Sequence, residues 1–133
     1  MQALVLLLAR ILICVIFALS GIQKILDFSG SAQALAAKGI NPSWFFLSGC
    51  IALLLLGSTL VVLGLWARYG AVLLLIFLIP VSFIMHPPFS DEPMQQIQFL
   101  KNLAIMGGLL FIVVYGSGSL SIDALRSKSN KNV

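Results

Sequence analysis

Four stretches of this chain, near residues 3–24, 44–66, 69–86 and 94–116, are long, apolar and almost without charge. A helix rises about 1.5 Å per residue, so roughly 20 apolar residues carry it across the ~30 Å hydrocarbon layer of a bilayer. A water-soluble fold would need polar groups to cover its surface. Of the 133 residues, only 9% are charged and 60% are hydrophobic, against roughly 25% charged in soluble domains. Lipid must therefore be the solvent for most of the surface, and the bilayer is the first partner of the chain. The expected fold is all-α: a four-transmembrane-helix bundle over residues 1–126, with a short interfacial helix between helices 1 and 2.

The first run, Ala3–Ile22, is interrupted by Arg10. A signal peptide carries its charge ahead of the apolar core, whereas Arg10 lies inside it, so a retained helix is expected despite the small-residue sequence Ala18-Leu19-Ser20. Between Gln23 and Pro42 the chain is more polar; Ser29 or Ser31 is expected to cap a short amphipathic helix that ends at Gly39. Trp44 and Trp66 bracket the second span at headgroup level, and Gly57 and Gly64 put small residues on nearly one face of it. Pro80 is expected to kink the third span, and His86-Pro87-Pro88 to stop it. Ser90-Asp91-Glu92-Pro93 reads as the start of the fourth, with Ser90 as its cap. Gly116 and Gly118 end that helix. Residues 127–133 form a polar basic tail, expected to be without structure.

The net charge of +4 does not point to nucleic acid. The basic residues sit near helix ends, without the stripe of cations and exposed aromatics such a surface needs. They orient the chain instead. Arg68, Arg126, Lys128 and Lys131 fall on the side of the termini, whereas Lys24, Lys38 and Lys101 on the other side are diluted by Asp27, Asp91 and Glu92. This pattern places both termini in the cytoplasm. Cys14 and Cys50 lie inside apolar runs with no C-x-x-C and no Cys/His spacing, so they read as small buried side chains and no metal site is expected.

An arginine at membrane depth is expensive, about 2.5–3.5 kcal/mol near the centre. Arg10 can snorkel to the nearer surface or face into the bundle. At about 100° per residue, Arg10, Cys14, Phe17, Gly21 and Lys24 share a narrow stripe, which favours the bundle for both cations. On the fourth helix, Lys101, Gly108 and Tyr115 recur every seven residues as another polar and small face. The candidate polar core has two parts. The first is an outer cluster of Lys24, Asp27, His86, Lys101 and Asn102, with Asp27 in reach of Lys24. The second is an inner Arg10, which Asp123 could partner. Such a constellation suits an anionic head group, a quinone carbonyl or a proton relay. The plainer alternative is that it fastens helices together.

Several elements resemble the DoxX family of small bacterial inner-membrane proteins. They are Arg10 with Ser20-Gly21-Ile22-Gln23-Lys24, Gly64 with Arg68, Pro80-x2-Phe83-x2-His86-Pro87, Phe99-Leu100-Lys101-Asn102-Leu103-Ala104, Gly107-Gly108-Leu109-Leu110, Gly116-Ser117-Gly118 and Ser121-Ile122-Asp123. The resemblance implies a four-helix membrane fold in the bacterial inner membrane. It also implies a link to thiosulfate–quinone oxidoreduction and to membrane-associated oxidoreductase complexes in stress defence. Many members carry a glutamate in the second helix; spacing from Gly64 and Arg68 puts that position at Leu54 here, so a relay built on that acid is not expected.

Two functions remain open. In the first, the chain is a redox-associated membrane subunit touching quinone and a soluble oxidoreductase partner. With no haem-ligating histidine pair, cysteine pair or nucleotide loop in the sequence, that partner would supply the electrons. In the second, the chain is a non-enzymatic binding or transport protein for a lipid or small amphiphile. A hydrolase triad is not legible, because the single His86 has no nucleophile partner. An assembly of several copies is compatible with either function.

Overall fold

The computed structural model describes residues 1–132, and among them every regular element is a helix. In order these are α1 (Gln2–Leu26), α2 (Phe28–Ala37), α3 (Ser43–Leu63), α4 (Ala67–Met85), α5 (Pro93–Tyr115) and α6 (Ile122–Lys131). Helices α1, α3, α4 and α5 are each long and apolar enough to cross a membrane. In none of their apolar windows is more than 33% of the residues buried within the protein, so most of the apolar surface takes lipid as its solvent. This is the four-span bundle the hydropathy predicts, with α2 as the short helix between the first two spans.

The spans form a row: α3 packs against α1 on one side and α4 on the other, α4 packs against α5, and α1 and α5 barely meet. Without a hydrophobic force between helices in lipid, close backbone approach supplies the attraction. Gly57 and Gly70 provide it at the centre of the row. A Cβ added to Gly57 would lie 2.8 Å from Leu74 Cγ, and one added to Gly70 would lie 2.9 Å from the Gly57 carbonyl oxygen. The core that forms around this contact includes Cys14, Phe17, Leu54, Val61, Leu74 and Leu109.

The buried residues of α1 are Arg10, Cys14, Phe17 and Gly21, four of the five residues in the stripe that helical periodicity picks out; the fifth, Lys24, is half-buried. Helix α5 differs. Its buried residues are Asn102, Leu109 and Ile112, whereas Lys101 and Tyr115 are exposed; the inward face lies one residue on from the expected one. Asn102 Nδ2 donates to Ser82 Oγ at 3.0 Å, and that hydroxyl donates to the Leu78 carbonyl at 2.7 Å. A polar bond between α5 and α4 in the apolar layer is thus completed by backbone.

Three local expectations are corrected. Asp27, rather than a serine, is the N-cap of α2, accepting from the Gly30 amide at 3.3 Å; its short carboxylate reaches the third amide of the helix as a capping group does. Helix α5 starts at Pro93 with Glu92 at the cap, and Ser90 Oγ instead accepts from the Glu92 amide at 3.2 Å. The basic tail is helical through Lys131, because Ser121 Oγ caps α6 by accepting from the Ala124 amide at 3.1 Å.

Candidate functional site

Polar side chains gather at the two ends of the bundle. At the end that holds the termini they converge on the corner between α3 and α4. Helix α3 closes on Gly64, which is left-handed at φ 70°; the amides of Leu65 and Gly64 fold back onto the Leu60 and Val61 carbonyls, and the carbonyls beyond them have no further amide along the helix. Arg10 fills that role. Its Nη1 donates to the Val61 carbonyl at 3.2 Å and the Val62 carbonyl at 3.3 Å, and its Nη2 donates to the Leu120 carbonyl. The side chain is 3% exposed. A cation at a helix C-terminus is favoured by the dipole, so the buried charge is held by backbone rather than by a carboxylate.

Helix α4 begins almost at once, with Trp66 as its N-cap in the left-handed region at φ 49°. Trp66 cannot cap with its side chain, and Asp123 does so from across the chain. Its Oδ1 accepts from the Trp66 amide at 2.9 Å and its Oδ2 from the Ala67 amide at 3.4 Å. The Asp123 amide in turn donates to the Gly64 carbonyl at 3.0 Å. Arg126 completes the corner, 5.8 Å from the centroid of the Trp66 ring. Asp123 is thus bonded to the start of α4, and Arg10 to the end of α3.

At the opposite end, the expected cluster separates. Lys24 Nζ donates to Ser20 Oγ at 3.4 Å, while Asp27 caps α2. Lys101 is exposed, and Asn102 is occupied by Ser82. Lys24 and His86, however, line one cavity together. His86 Nδ1 lies 2.7 Å from Gln95 Oε1. With that amide oxygen as acceptor, Nδ1 carries the hydrogen, and Nε2 of the neutral ring is left an acceptor.

The cavity with Lys24 and His86, about 170 Å³, also touches Ser31 and Ala34 of α2. It adjoins a larger one of about 480 Å³, walled by Leu35, Ile40, Phe46, Leu53, Pro80 and Ile84. Leu35, Cys50, Phe77, Val81 and Met85 line both. The two make one cleft beneath α2, apolar along its length and polar at the end where Lys24 and His86 stand. Pro80 has no N–H to give the Ile76 carbonyl, so a second wall residue lacks its intrahelical bond.

The DoxX family profile matches residues 5–87. The inner membrane protein YqjF of Escherichia coli K12 is 34% identical over 123 residues, 92% of either chain. The chain belongs to the DoxX family. A second relative, the inner membrane protein YphA of Escherichia coli K12, is 29% identical over 122 residues, covering 89% of this chain and 87% of its own. No solved structure matches.

In this DoxX protein, Arg10, Gly64 and Ser121-Ile122-Asp123 meet at the α3–α4 corner. A Cβ on Gly64 would run into Ser121 and the Arg10 guanidinium. Leu54 is fully buried in the apolar core. Sequence reasoning missed Ser82, Gln95 and Cys50. Cys50 had a signal: it falls between Leu47 and Leu54, both buried, at helical spacing. Gln95 and Ser82 had none, since their partners His86 and Asn102 lie on neighbouring elements.

Proposed function

We propose that this DoxX protein binds a small amphiphile in the cleft beneath α2, with its apolar part between α3 and α4 and its head at Lys24 and His86. The continuity of the two cavities carries this reading: five shared residues join an apolar chamber to a polar mouth. Ligand sites in proteins are mostly apolar, with a few placed polar groups that set orientation. Lys24 offers N–H donors and His86 Nε2 an acceptor, a pair that suits a head bearing both carbonyl and hydroxyl oxygen. A quinone and its quinol are the example the family resemblance favours.

Cys50 reports on the cleft, because it lines both cavities, whereas Cys14 is 1% exposed and serves as the unreactive control. N-ethylmaleimide labelling of Cys50 in purified protein is expected to slow when a short-tailed ubiquinone analogue is added. Labelling that neither the quinone analogue nor a lysophospholipid slows would contradict amphiphile binding.

The second reading, a redox-associated subunit, is favoured by the donor and acceptor at the mouth, which match the two oxidation states of such a ring. Electrons would reach the quinone from a soluble oxidoreductase partner. Copurification of such a partner together with quinone-dependent turnover is the result this reading expects. Both termini are proposed to be cytoplasmic, on the distribution of Arg68, Arg126, Lys128 and Lys131.

A further inference from the structure

A second pair of adjoining cavities lies at the termini end, away from the cleft under α2. Because α1 and α5 barely meet, a groove of about 480 Å³ runs between them, lined by Leu6, Ala9, Ile13, Phe111 and Ile112. It continues through Tyr115, Gly116 and Ser117 into a recess of about 440 Å³ bounded by Trp66, Arg68 and Tyr69. The groove is apolar and the recess carries a cation among interfacial aromatics. Arg68 sits over the end of α5: a Cβ built on Gly116 would be 3.3 Å from its Nε.

One further observation points to a ligand. Arg10 lines the groove and is 3% exposed, yet its Nε is a buried nitrogen with no hydrogen-bond partner among the described residues. Leaving a donor of a charged group unsatisfied is unfavourable. The carbonyls of Val61, Val62 and Leu120 use the other two nitrogens. An acceptor arriving along the groove would complete the guanidinium.

We propose that this groove is a binding site for one anionic phospholipid. Its acyl chain lies between α1 and α5, an ester carbonyl accepts from Arg10 Nε, and the phosphate sits at Arg68. The order of these groups along the site, chain then ester then phosphate, is the order in which a phospholipid presents them from hydrocarbon to water. Charge favours an anionic head. Arg126, Lys128 and Lys131 of α6 flank the same end, and its one carboxylate, Asp123, is held by the amides of Trp66 and Ala67. Basic groups near the membrane surface attract anionic lipid.

Native mass spectrometry of the full chain, released from nanodiscs of phosphatidylglycerol or of phosphatidylcholine, tests the site. One phosphatidylglycerol per chain should survive where phosphatidylcholine does not. Arg68→Gln should lower that retention about tenfold, the loss expected for a charge-assisted hydrogen bond, while Arg68→Lys keeps most of it. Ala9→Leu, on an exposed wall of the groove, should also displace the lipid without lowering the thermal midpoint. Equal retention of the two lipids, retention unchanged in both Arg68→Gln and Ala9→Leu, or a dimer in place of the lipid adduct would overturn the proposal.

Discussion

Arg10 and Asp123 are fastened to opposite ends of one helix corner: the guanidinium takes the last carbonyls of α3, and the carboxylate takes the first amides of α4. Each charge meets the helix end of opposite polarity. The Asp123 amide on the Gly64 carbonyl ties the two halves together. A cation at membrane depth is thereby stabilised without an ion pair among the described residues, and the segment after α5 is locked onto the bundle.

Arg10→Met should lower stability by about 3 kcal/mol, since it strands carbonyls that a charged donor now holds. Arg10→Lys should recover part of it, because one ammonium cannot span three carbonyls on two segments. Thermal unfolding in detergent, followed by circular dichroism, reads both; an unchanged midpoint for Arg10→Met would place the side chain outside the corner.

Asp123→Ala should cost about 1–2 kcal/mol, the range for losing an N-cap. Asp123→Asn should recover part of this, as its one amide oxygen can still accept from the Trp66 amide while Nδ2 cannot accept from the Ala67 amide. Equal loss in both variants would show that charge, rather than capping geometry, holds the start of α4.

The spans and the inward stripe of α1 are legible in the sequence because length and the period of a helix are local properties. Arg10 is legible as a bundle-facing residue, but its partners are not: Val61, Val62 and Leu120 act through carbonyls, which every residue possesses. Asp123 is legible as a neighbour of the same end, yet its role depends on Trp66 lacking a capping side chain. The face of α5 is misread because Lys101 and Asn102 are adjacent, and only packing against Ser82 decides which turns inward. The cleft is invisible to periodicity, since it arises where α2 roofs α3 and α4.

Gly70→Val should destabilise by about 1–3 kcal/mol, the usual range for overpacking, because the added atoms meet the Gly57 carbonyl. Gly107→Ala should be neutral or slightly stabilising: its Cβ has open space around it, and alanine favours helix by up to about 1 kcal/mol. Unfolding midpoints of the two variants check the α3–α4 contact; similar losses in both would argue against it.

A phosphatase reporter, active only outside the cytoplasm, should stay silent when fused after Val133. Activity there would reverse the proposed orientation.

Lys24→Ala and His86→Ala, each measured for retained amphiphile by native mass spectrometry and for thermal midpoint, bear most directly on the cleft. Binding at the mouth predicts that both variants lose the copurified amphiphile while their midpoints stay near the parent value. Lowered midpoints with the amphiphile still retained would show that the two side chains only fasten the helices.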